Sequence, residues 1–443
     1  MTNKRKWGTA ALSVLLATSL AACGGGNEAT NGASPSPGSG NSGGDSKPVT
    51  LTMWGGVPAE AGPQAVVDAW NAENPDVQVK YERFVNDDAG NLKLDTALAT
   101  NQNIDLYVTY NLPVLVKRVE AGNALDLNTY GDYNIDEKMG EDAKAWKVKD
   151  SYYGMPTKKN VSFVWLNKNA LDEAGLPVPP LDWNMGDLQK YAKALTKEKR
   201  FGYVMDMSAY NSIFDGTNAG SGYTKTDGSS NLDDPNVKKA YETLYNMQHT
   251  DKSMPTLGEQ LTSKMPTDAA FLKGEAAMLG AGEFVFRSAN NLKDFPHDFQ
   301  IAFAMIPKVS ADQSNFKYPG GLGDVISINP KSENKDKAWE FLKWYADGGM
   351  KPLAAGGRIP ASKDADIGAA LDTLLGSNKE GYDVKSLEEV VFGKFPTYTV
   401  PLSQQVVDAR REEYEKYFTQ SQSIEDTLKN TVKRHNDFVK NSK

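Results

Sequence analysis

The stretch "VTLTMWGG" (49–56) sets the interpretation of the fold, because it alternates into a short apolar strand that stops at paired glycines. The next segment, "AVVDAWNAENPDVQVKYERF" (65–84), has apolar residues at helical spacing, a turn at Asn74-Pro75 and a second alternating strand. A further helix over 92–98 leads into "IDLYVTY" (104–110), a third strand. Strands and helices that alternate in this way predict an α/β fold with a largely parallel sheet.

The ends of these strands predict where a ligand binds. In open α/β sheets, ligands bind beyond the carboxyl ends of the strands. Two such ends are visible in the sequence, Trp54 before its two glycines and Tyr110 followed by Asn111. We therefore expect these side chains to face a binding site.

The rest of the chain repeats the α/β pattern. A strand over 161–166 is followed by a helix that ends at Gly175, and "DAAFLKGEAAMLGAGEF" (268–284) predicts a helix, a glycine turn and a strand with glycines at its end. The tail from Gln404 to Lys443 has a helical pattern.

The length of the chain predicts two lobes. About 395 residues follow the linker, and this exceeds the size at which a single hydrophobic core keeps growing.

The N-terminus has the features of an export signal. Lys4, Arg5 and Lys6 precede a short apolar run over 10–20, and the chain's single cysteine follows in "LAAC" (20–23). This ending resembles the bacterial lipobox, which implies a signal peptide over 1–22 and lipidation of Cys23; an ordinary secretory signal is the alternative. Residues 24–47 are rich in Gly, Ser, Asn and Pro, so we expect 23–47 to be a disordered linker to a lipid anchor on the outer face of the cell membrane.

Composition argues against several classes of function. The net charge is −8, and removal of 1–22, which carries three cations and no anion, makes it −11, so we expect no nucleic-acid partner. The three histidines stand in no metal-ligand pattern and no G-x-S-x-G sequence is present, so we expect no enzyme, no cofactor and no metal. An anchored glycoside hydrolase is the enzyme alternative, since its carboxylate pair leaves no sequence pattern. A structural or adhesive lipoprotein is disfavoured, because the chain has no internal repeat.

Six segments, in this order, resemble the family 1 extracellular solute-binding proteins, the sugar-binding lipoproteins of ABC importers related to the maltose-binding protein. They are "LTMWGG", "NIDLYVTYN", "YGMPTKKNVSFVWLNKNALDEAGLPVP", "AFLKGEAAMLGAGEF", "GGLGDVISINPKSENKDKAWEFLKWYADGG" and "GRIPASKD". The resemblance covers nearly all of 49–443.

The resemblance implies a two-lobed periplasmic-binding-protein fold with a hinge and a ligand cleft between the lobes. The first lobe would comprise 48–157 and a return segment over 322–358. The second lobe would comprise 158–321 and 364–443, with a hinge crossing at 359–363. The protein would be a monomer that captures a solute and delivers it to the membrane subunits of an ABC permease.

A sugar has apolar faces and a rim of hydroxyl groups, so a binding site needs aromatic rings together with polar side chains. The family places an aromatic ring two residues after the glycine that Gly282 matches, although relatives often have Trp where this chain has Phe284. We expect the ligand to be a sugar, and specifically an oligosaccharide. The alternative is a peptide or a polyamine. The predicted binding residues are Trp54, Tyr110, Asn111, Asn160, Asp206, Tyr210, Glu283, Phe284, Asp324 and Arg358.

Overall fold

The structure is a computed structural model that describes residues 48–393, 395–398 and 402–441. The predicted signal peptide, the lipidated Cys23 and the linker lie outside the described residues. All described residues fall within one compact unit, 47–443.

The strands of the described residues follow the predicted α/β order. They are β1 Val49–Gly55, β2 Val77–Arg83, β3 Leu106–Thr109, β4 Met155–Lys159, β5 Ser162–Asn167, β6 Val204–Met205, β7 Met278–Gly282, β8 Ile301–Met305, β9 Tyr318–Pro319, β10 Leu322–Ile328, β11 Ile359–Pro360 and β12 Thr397–Tyr398.

The α-helices of the same residues connect and cover these strands. They are α1 Pro63–Glu73, α2 Asp88–Ala99, α3 Leu112–Glu120, α4 Ile135–Met139, α5 Lys168–Glu173, α6 Met185–Leu195, α7 Met207–Ser221, α8 Pro235–Tyr245, α9 Leu257–Ser263, α10 Thr267–Leu272, α11 Phe286–Ala289, α12 Lys335–Trp344, α13 Ile367–Leu375, α14 Val384–Phe392, α15 Gln404–Phe418 and α16 Ile424–Asn441.

The first lobe is built on a six-stranded sheet in the order β11-β4-β10-β3-β1-β2. β1 pairs in parallel with β2 and β3, as predicted, but β10 is antiparallel to both β3 and β4, and β11 is antiparallel to β4. The sheet is therefore mixed, which corrects the expectation of a largely parallel one. The physical reason is that β10 and β11 reach the sheet from other parts of the chain, without the helical crossover that a parallel pair requires.

The alternation of β1 separates its two faces. Leu51 and Met53 enter a core that includes Trp70 of α1 and Phe341 of α12. Trp54 points to the opposite face, into a second buried cluster. This division follows from the two-residue period of a strand.

The second lobe is built on a four-stranded sheet in the order β6-β7-β5-β8, in which β5 is antiparallel to β7 and β8. Val164 and Leu166 of β5 face the core formed with α6, α7, α8, α15 and α16. Phe163 and Trp165 face the opposite core, which includes residues of α10, α11, α13 and α14. Because both faces are covered, this strand is apolar throughout instead of alternating with polar residues.

The chain passes between the two sheets more than once. β4 ends in the first sheet at Lys159, and β5 begins in the second sheet at Ser162. β9 at Tyr318–Pro319, which pairs in parallel with β12 in a separate two-stranded sheet, is followed directly by β10 of the first sheet. β11 precedes α13, whose buried leucines belong to the second lobe. We count Lys158 and Lys159 with the first lobe, because they pair with β10 in its sheet. The lobe boundaries given above stay predictions.

Candidate functional site

A cavity of about 410 Å³ lies between the two lobes. The first lobe supplies residues that follow β3, together with Trp146 and Leu322. The second lobe supplies α7, the turn after β7, β12 and the start of α15. The lining residues are Tyr110, Asn111, Leu112, Pro113, Trp146, Asn160, Ser162, Asn211, Asp215, Gly282, Glu283, Phe284, Pro319, Gly320, Leu322, Tyr398, Leu402, Gln404 and Val407.

Five of the ten predicted binding residues lie on the wall of this cavity. They come from three separate parts of the chain and are Tyr110, Asn111, Asn160, Glu283 and Phe284. The structure therefore brings strand ends of both lobes to one site.

Tyr110 and Asn111 are positioned by the end of β3. The Tyr110 hydroxyl accepts a hydrogen bond from the backbone N–H of Gly56 at 2.6 Å, which ties the end of β3 to the loop after β1. Burial, together with the nearby carboxylate of Asp324, raises the pKa of Tyr110, so the hydroxyl stays protonated. Asn111 caps α3, because its side-chain oxygen accepts from the backbone N–H of Val114 at 3.0 Å. Both side chains thus hold the cleft edge of the first lobe in place.

Glu283 and Phe284 follow β7 in the second lobe. The Phe284 ring lies against Gly282, where an added Cβ would approach the ring to 3.1 Å. Glu283 is 6% exposed and pairs with the ammonium group of Lys158, which belongs to β4 of the first lobe. This ion pair therefore joins the two lobes at the base of the cavity.

Asn160 lies in the segment that connects β4 with β5. Its side-chain amide donates to the carbonyl of Leu322 at 2.9 Å, and its backbone N–H donates to the carbonyl of Gly321 at 3.0 Å. Two crossing segments are therefore hydrogen-bonded to each other at the cavity wall.

Asp324 and Arg358 lie behind the cavity and bind each other. The Arg358 Nε donates to Asp324 Oδ2 at 3.1 Å, and Lys158 Nζ lies 3.9 Å from the other carboxylate oxygen. Burial alone lowers the pKa of Arg358, but the charges of Asp324 and Glu283 outweigh this effect and raise it. The positive φ of Gly357 lets the chain approach the backbone of Glu283, where a Cβ would lie 2.1 Å from the carbonyl oxygen.

Trp54 and Tyr210 are placed in the interior of the lobes. Trp54 is 7% exposed and packs in the cluster of Phe84 and Tyr107, with Lys93 Nζ 5.2 Å from its ring centre. Tyr210 is fully buried and stacks on Tyr414 with ring centres 5.9 Å apart. Neither residue is among those that line the cavity, so we give both a packing role.

Asp206 precedes α7 and is half-buried. Its backbone N–H donates to the carbonyl of Gly280 at 2.9 Å, which attaches the start of the helix to β7. It is likewise outside the set of lining residues.

Six polar or aromatic lining residues were not predicted from the sequence: Trp146, Ser162, Asn211, Asp215, Tyr398 and Gln404. They lie in helices, in a 3₁₀ turn, at the first residue of β5 and in the two-residue strand β12, so none follows a strand that the sequence pattern shows. Asp215 is 2% exposed and is held in a bidentate pair by Arg410 of α15, at 2.6 and 2.9 Å. The sequence of α15 does not show that Arg410 is buried against Asp215, because the two residues lie far apart in the chain and meet only in the fold.

The wall combines aromatic rings with amide and hydroxyl groups. Tyr110, Trp146, Phe284 and Tyr398 supply the rings. The two carboxylates among the described lining residues, Asp215 and Glu283, are each paired with a buried cation. Among the described residues, no group of three or more His, Cys, Asp or Glu side chains is arranged to hold a metal ion. The arrangement therefore suits a neutral ligand with apolar faces and polar edges.

The family model of the bacterial extracellular solute-binding proteins matches residues 55–349 of this chain. The chain belongs to this family. The match confirms the resemblance seen in the sequence and identifies the chain as a binding protein instead of an enzyme. Within the described residues, no helix has the length and apolar character needed to cross a membrane.

Individual relatives are distant in sequence but similar in fold. A binding protein of Brucella abortus is 25% identical over 320 residues, which cover 69% of this chain and 74% of the relative. One similar structure is an ABC substrate-binding protein of Listeria monocytogenes in complex with cycloalternan. It has a TM-score of 0.73 and 20% sequence identity, and the match covers 89% of this chain and 99% of the Listeria chain. The maltose-bound MalE3 of T. maritima has a TM-score of 0.70 and 19% identity, over 88% of this chain and all of that one. These likenesses confirm the predicted periplasmic-binding-protein fold.

Proposed function

We propose that this solute-binding protein captures an oligosaccharide in the cavity between its lobes and delivers it to an ABC permease. The observation that carries the proposal is the cavity itself, whose wall combines four aromatic rings with amide side chains from both lobes. A sugar ring packs its C–H face on an aromatic ring, while its hydroxyl groups exchange hydrogen bonds with amides at the edge. The Listeria and T. maritima structures named above hold cycloalternan and maltose, which supports the same ligand class.

The charges of the cavity favour a sugar over a polyamine. A polyamine needs carboxylates that are available to its ammonium groups. Asp215 and Glu283 instead face Arg410 and Lys158, at the centre of buried ion pairs. A cationic ligand would have to break a pair that is already desolvated, and this costs free energy.

The binding residues in this proposal are those that line the cavity, with Phe284 of the second lobe as the main aromatic platform and Tyr110 as an aromatic residue of the first lobe. Asn111, Asn160, Asn211 and Gln404 supply amide groups. We further propose that Cys23 carries a lipid anchor and that the linker after it keeps the protein at the outer face of the membrane, near its permease.

Titration calorimetry with a panel of oligosaccharides tests the proposal. Phe284→Ala should weaken binding by roughly 1–3 kcal/mol, the usual contribution of an aromatic platform to a flat ligand, which is about 5- to 150-fold in Kd. Phe295→Ala is the matched control, since Phe295 is also partly buried against the same core but does not line the cavity.

The proposal predicts that the control binds the sugar as tightly as the wild type does. Equal affinity of the Phe284 variant and the wild type would contradict the site assignment. An absence of heat with every saccharide of the panel would contradict the ligand class.

A further inference from the structure

A second cavity, of about 680 Å³, lies in the second lobe and differs from the cleft in its charge. We call it the basic groove; among the described residues, none lines both cavities. Five of its lining residues are cationic, Lys197, Lys199, Arg200, Lys252 and Lys273, against two acidic ones, Glu198 and Glu275. This excess is unusual in a chain whose net charge is −8.

The basic groove and the cleft lie at opposite ends of β7. Glu275, which lines the groove, comes shortly before the strand, and Glu283, which lines the cleft, comes directly after it. At about 3.3 Å per residue of strand, the two sites are roughly 15–25 Å apart. A ligand in the groove therefore does not compete for the space of the cleft.

Three of the five cations are available to a ligand. The other two, Lys197 and Arg200, already face the carboxylate of Glu173. Lys197 forms an ion pair with it, and Arg200 Nη1 lies 3.4 Å from it. The ammonium groups of Lys199, Lys252 and Lys273 have neither an ion pair nor a hydrogen bond with any described residue. All three side chains are exposed at the rim, so their charges are not neutralised by the protein.

The backbone beside the groove is strained in two places. Lys252 has φ +53° and Lys264, between the lining residues Ser263 and Met265, has φ +49°. A lysine in the left-handed region costs on the order of 1 kcal/mol relative to an ordinary conformation, a cost that glycine avoids. Lys264 ends α9 as its C-cap residue, whereas Lys252 places its ammonium group at the groove.

We propose that the basic groove binds a soluble anion that carries several phosphate groups. Lysines act as point charges toward phosphate, so each of the three unpaired ammonium groups can contact a phosphate oxygen. A concave groove accommodates such an anion better than it accommodates the flat surface of a bilayer.

The test is calorimetric titration of sodium tripolyphosphate into the full-length protein at low ionic strength. The triple variant Lys199→Gln, Lys252→Gln and Lys273→Gln should bind it about tenfold or more weakly, since three uncompensated charges are lost. Lys149→Gln, Lys293→Gln and Lys429→Gln together form the matched control, because they remove the same charge from exposed sites elsewhere. Lys149 also has a positive φ, of 51°.

The control should stay within about twofold of the wild type, because screened surface charges at a distance contribute little. An equal loss in both triple variants would overturn the proposal, since only the overall charge would then matter. Absence of tripolyphosphate binding to the wild type, or binding only to phosphatidylglycerol vesicles, would also overturn it. Oligosaccharide titration of the same variants separates this result from the proposed function, because sugar binding should be unchanged in both.

Discussion

Two buried ion pairs border the cleft, and they differ in which parts of the molecule they join. Arg410 and Asp215 both belong to the second lobe, where α15 meets α7, and the guanidinium binds both carboxylate oxygens. Lys158 and Glu283 join β4 of the first lobe to the turn after β7 of the second. Each pair places one carboxylate on the wall of the cavity.

The difference in connectivity indicates two different tasks. A bidentate arginine fixes the orientation of its partner and does not change when the lobes move relative to each other. A lysine offers a point charge on a flexible stem, which tolerates a change in distance across a hinge. We therefore expect the first pair to stabilise the second lobe and the second pair to affect ligand binding.

Arg410→Met should have the largest effect. It leaves Asp215 buried without a counter-ion, and breaking such a pair from one side typically costs about 3–5 kcal/mol of unfolding free energy. Urea denaturation measures the loss. Arg411→Met is the matched control, because the neighbouring Arg411 makes an exposed pair with Asp408 that is worth at most about 1 kcal/mol. Similar stabilities of the two variants would contradict the structural task of the Arg410 pair.

Lys158→Met should have its main effect on affinity. The Glu283 carboxylate would lose its partner at the base of the cavity, and we expect oligosaccharide binding to weaken roughly tenfold, which corresponds to about 1.4 kcal/mol. The loss of unfolding free energy should be smaller than in the Arg410 variant. Lys159→Met is the control on the same strand, since Lys159 forms no ion pair with a described residue. If Lys158→Met left the affinity unchanged and lost more unfolding free energy than Arg410→Met, the two tasks would be assigned the wrong way round.

The smallest expected effect concerns His435, which lies near Arg410 and makes the unfolding free energy depend on pH. His435 is buried, with its Nδ1 2.9 Å from the Ser230 hydroxyl, and burial together with the charge of Arg410 lowers its pKa. The unfolded chain therefore binds a proton more readily than the folded one, so unfolding free energy falls as the pH drops below about 6.5. His435→Gln should remove this decrease, so the unfolding free energy of the variant should fall less than that of the wild type between pH 7 and pH 5. Identical pH profiles of the variant and the wild type would show that His435 does not contribute.

Much of the fold was accessible to sequence reasoning because it depends on periodic patterns. The strand at 49–56 and its two successors alternate or end at glycines, and the structure has β1, β2 and β3 at these places. The antiparallel entry of β10 was not predicted, because local periodicity carries no information about the direction from which a strand reaches its sheet. That direction is set by the crossings between lobes.

The candidate site was accessible where it lies at strand ends and hidden where it lies on helices. Tyr110 and Phe284 follow strands and line the cavity, whereas Asp215 and Gln404 lie on helices with no local mark. Trp54 also ends a strand, but its side chain alternates to the covered face. A shift of one residue along a strand moves a side chain from the cleft to the core. The position is fixed only by the pairing of the strand with neighbouring elements.

The central claim is that the ligand binds between the two lobes, and we propose that they close on it about the predicted hinge. Electron–electron distance measurements on spin labels test this most directly. The chain has one cysteine, so Cys23→Ser with Val85→Cys and Gln405→Cys yields one exposed label on each lobe. Val85→Cys with Glu120→Cys, both in the first lobe, is the control. We predict that a saturating oligosaccharide shifts the interlobe distances to shorter values and leaves the control pair unchanged. Unchanged interlobe distances, under conditions in which calorimetry shows the sugar bound, would contradict the account.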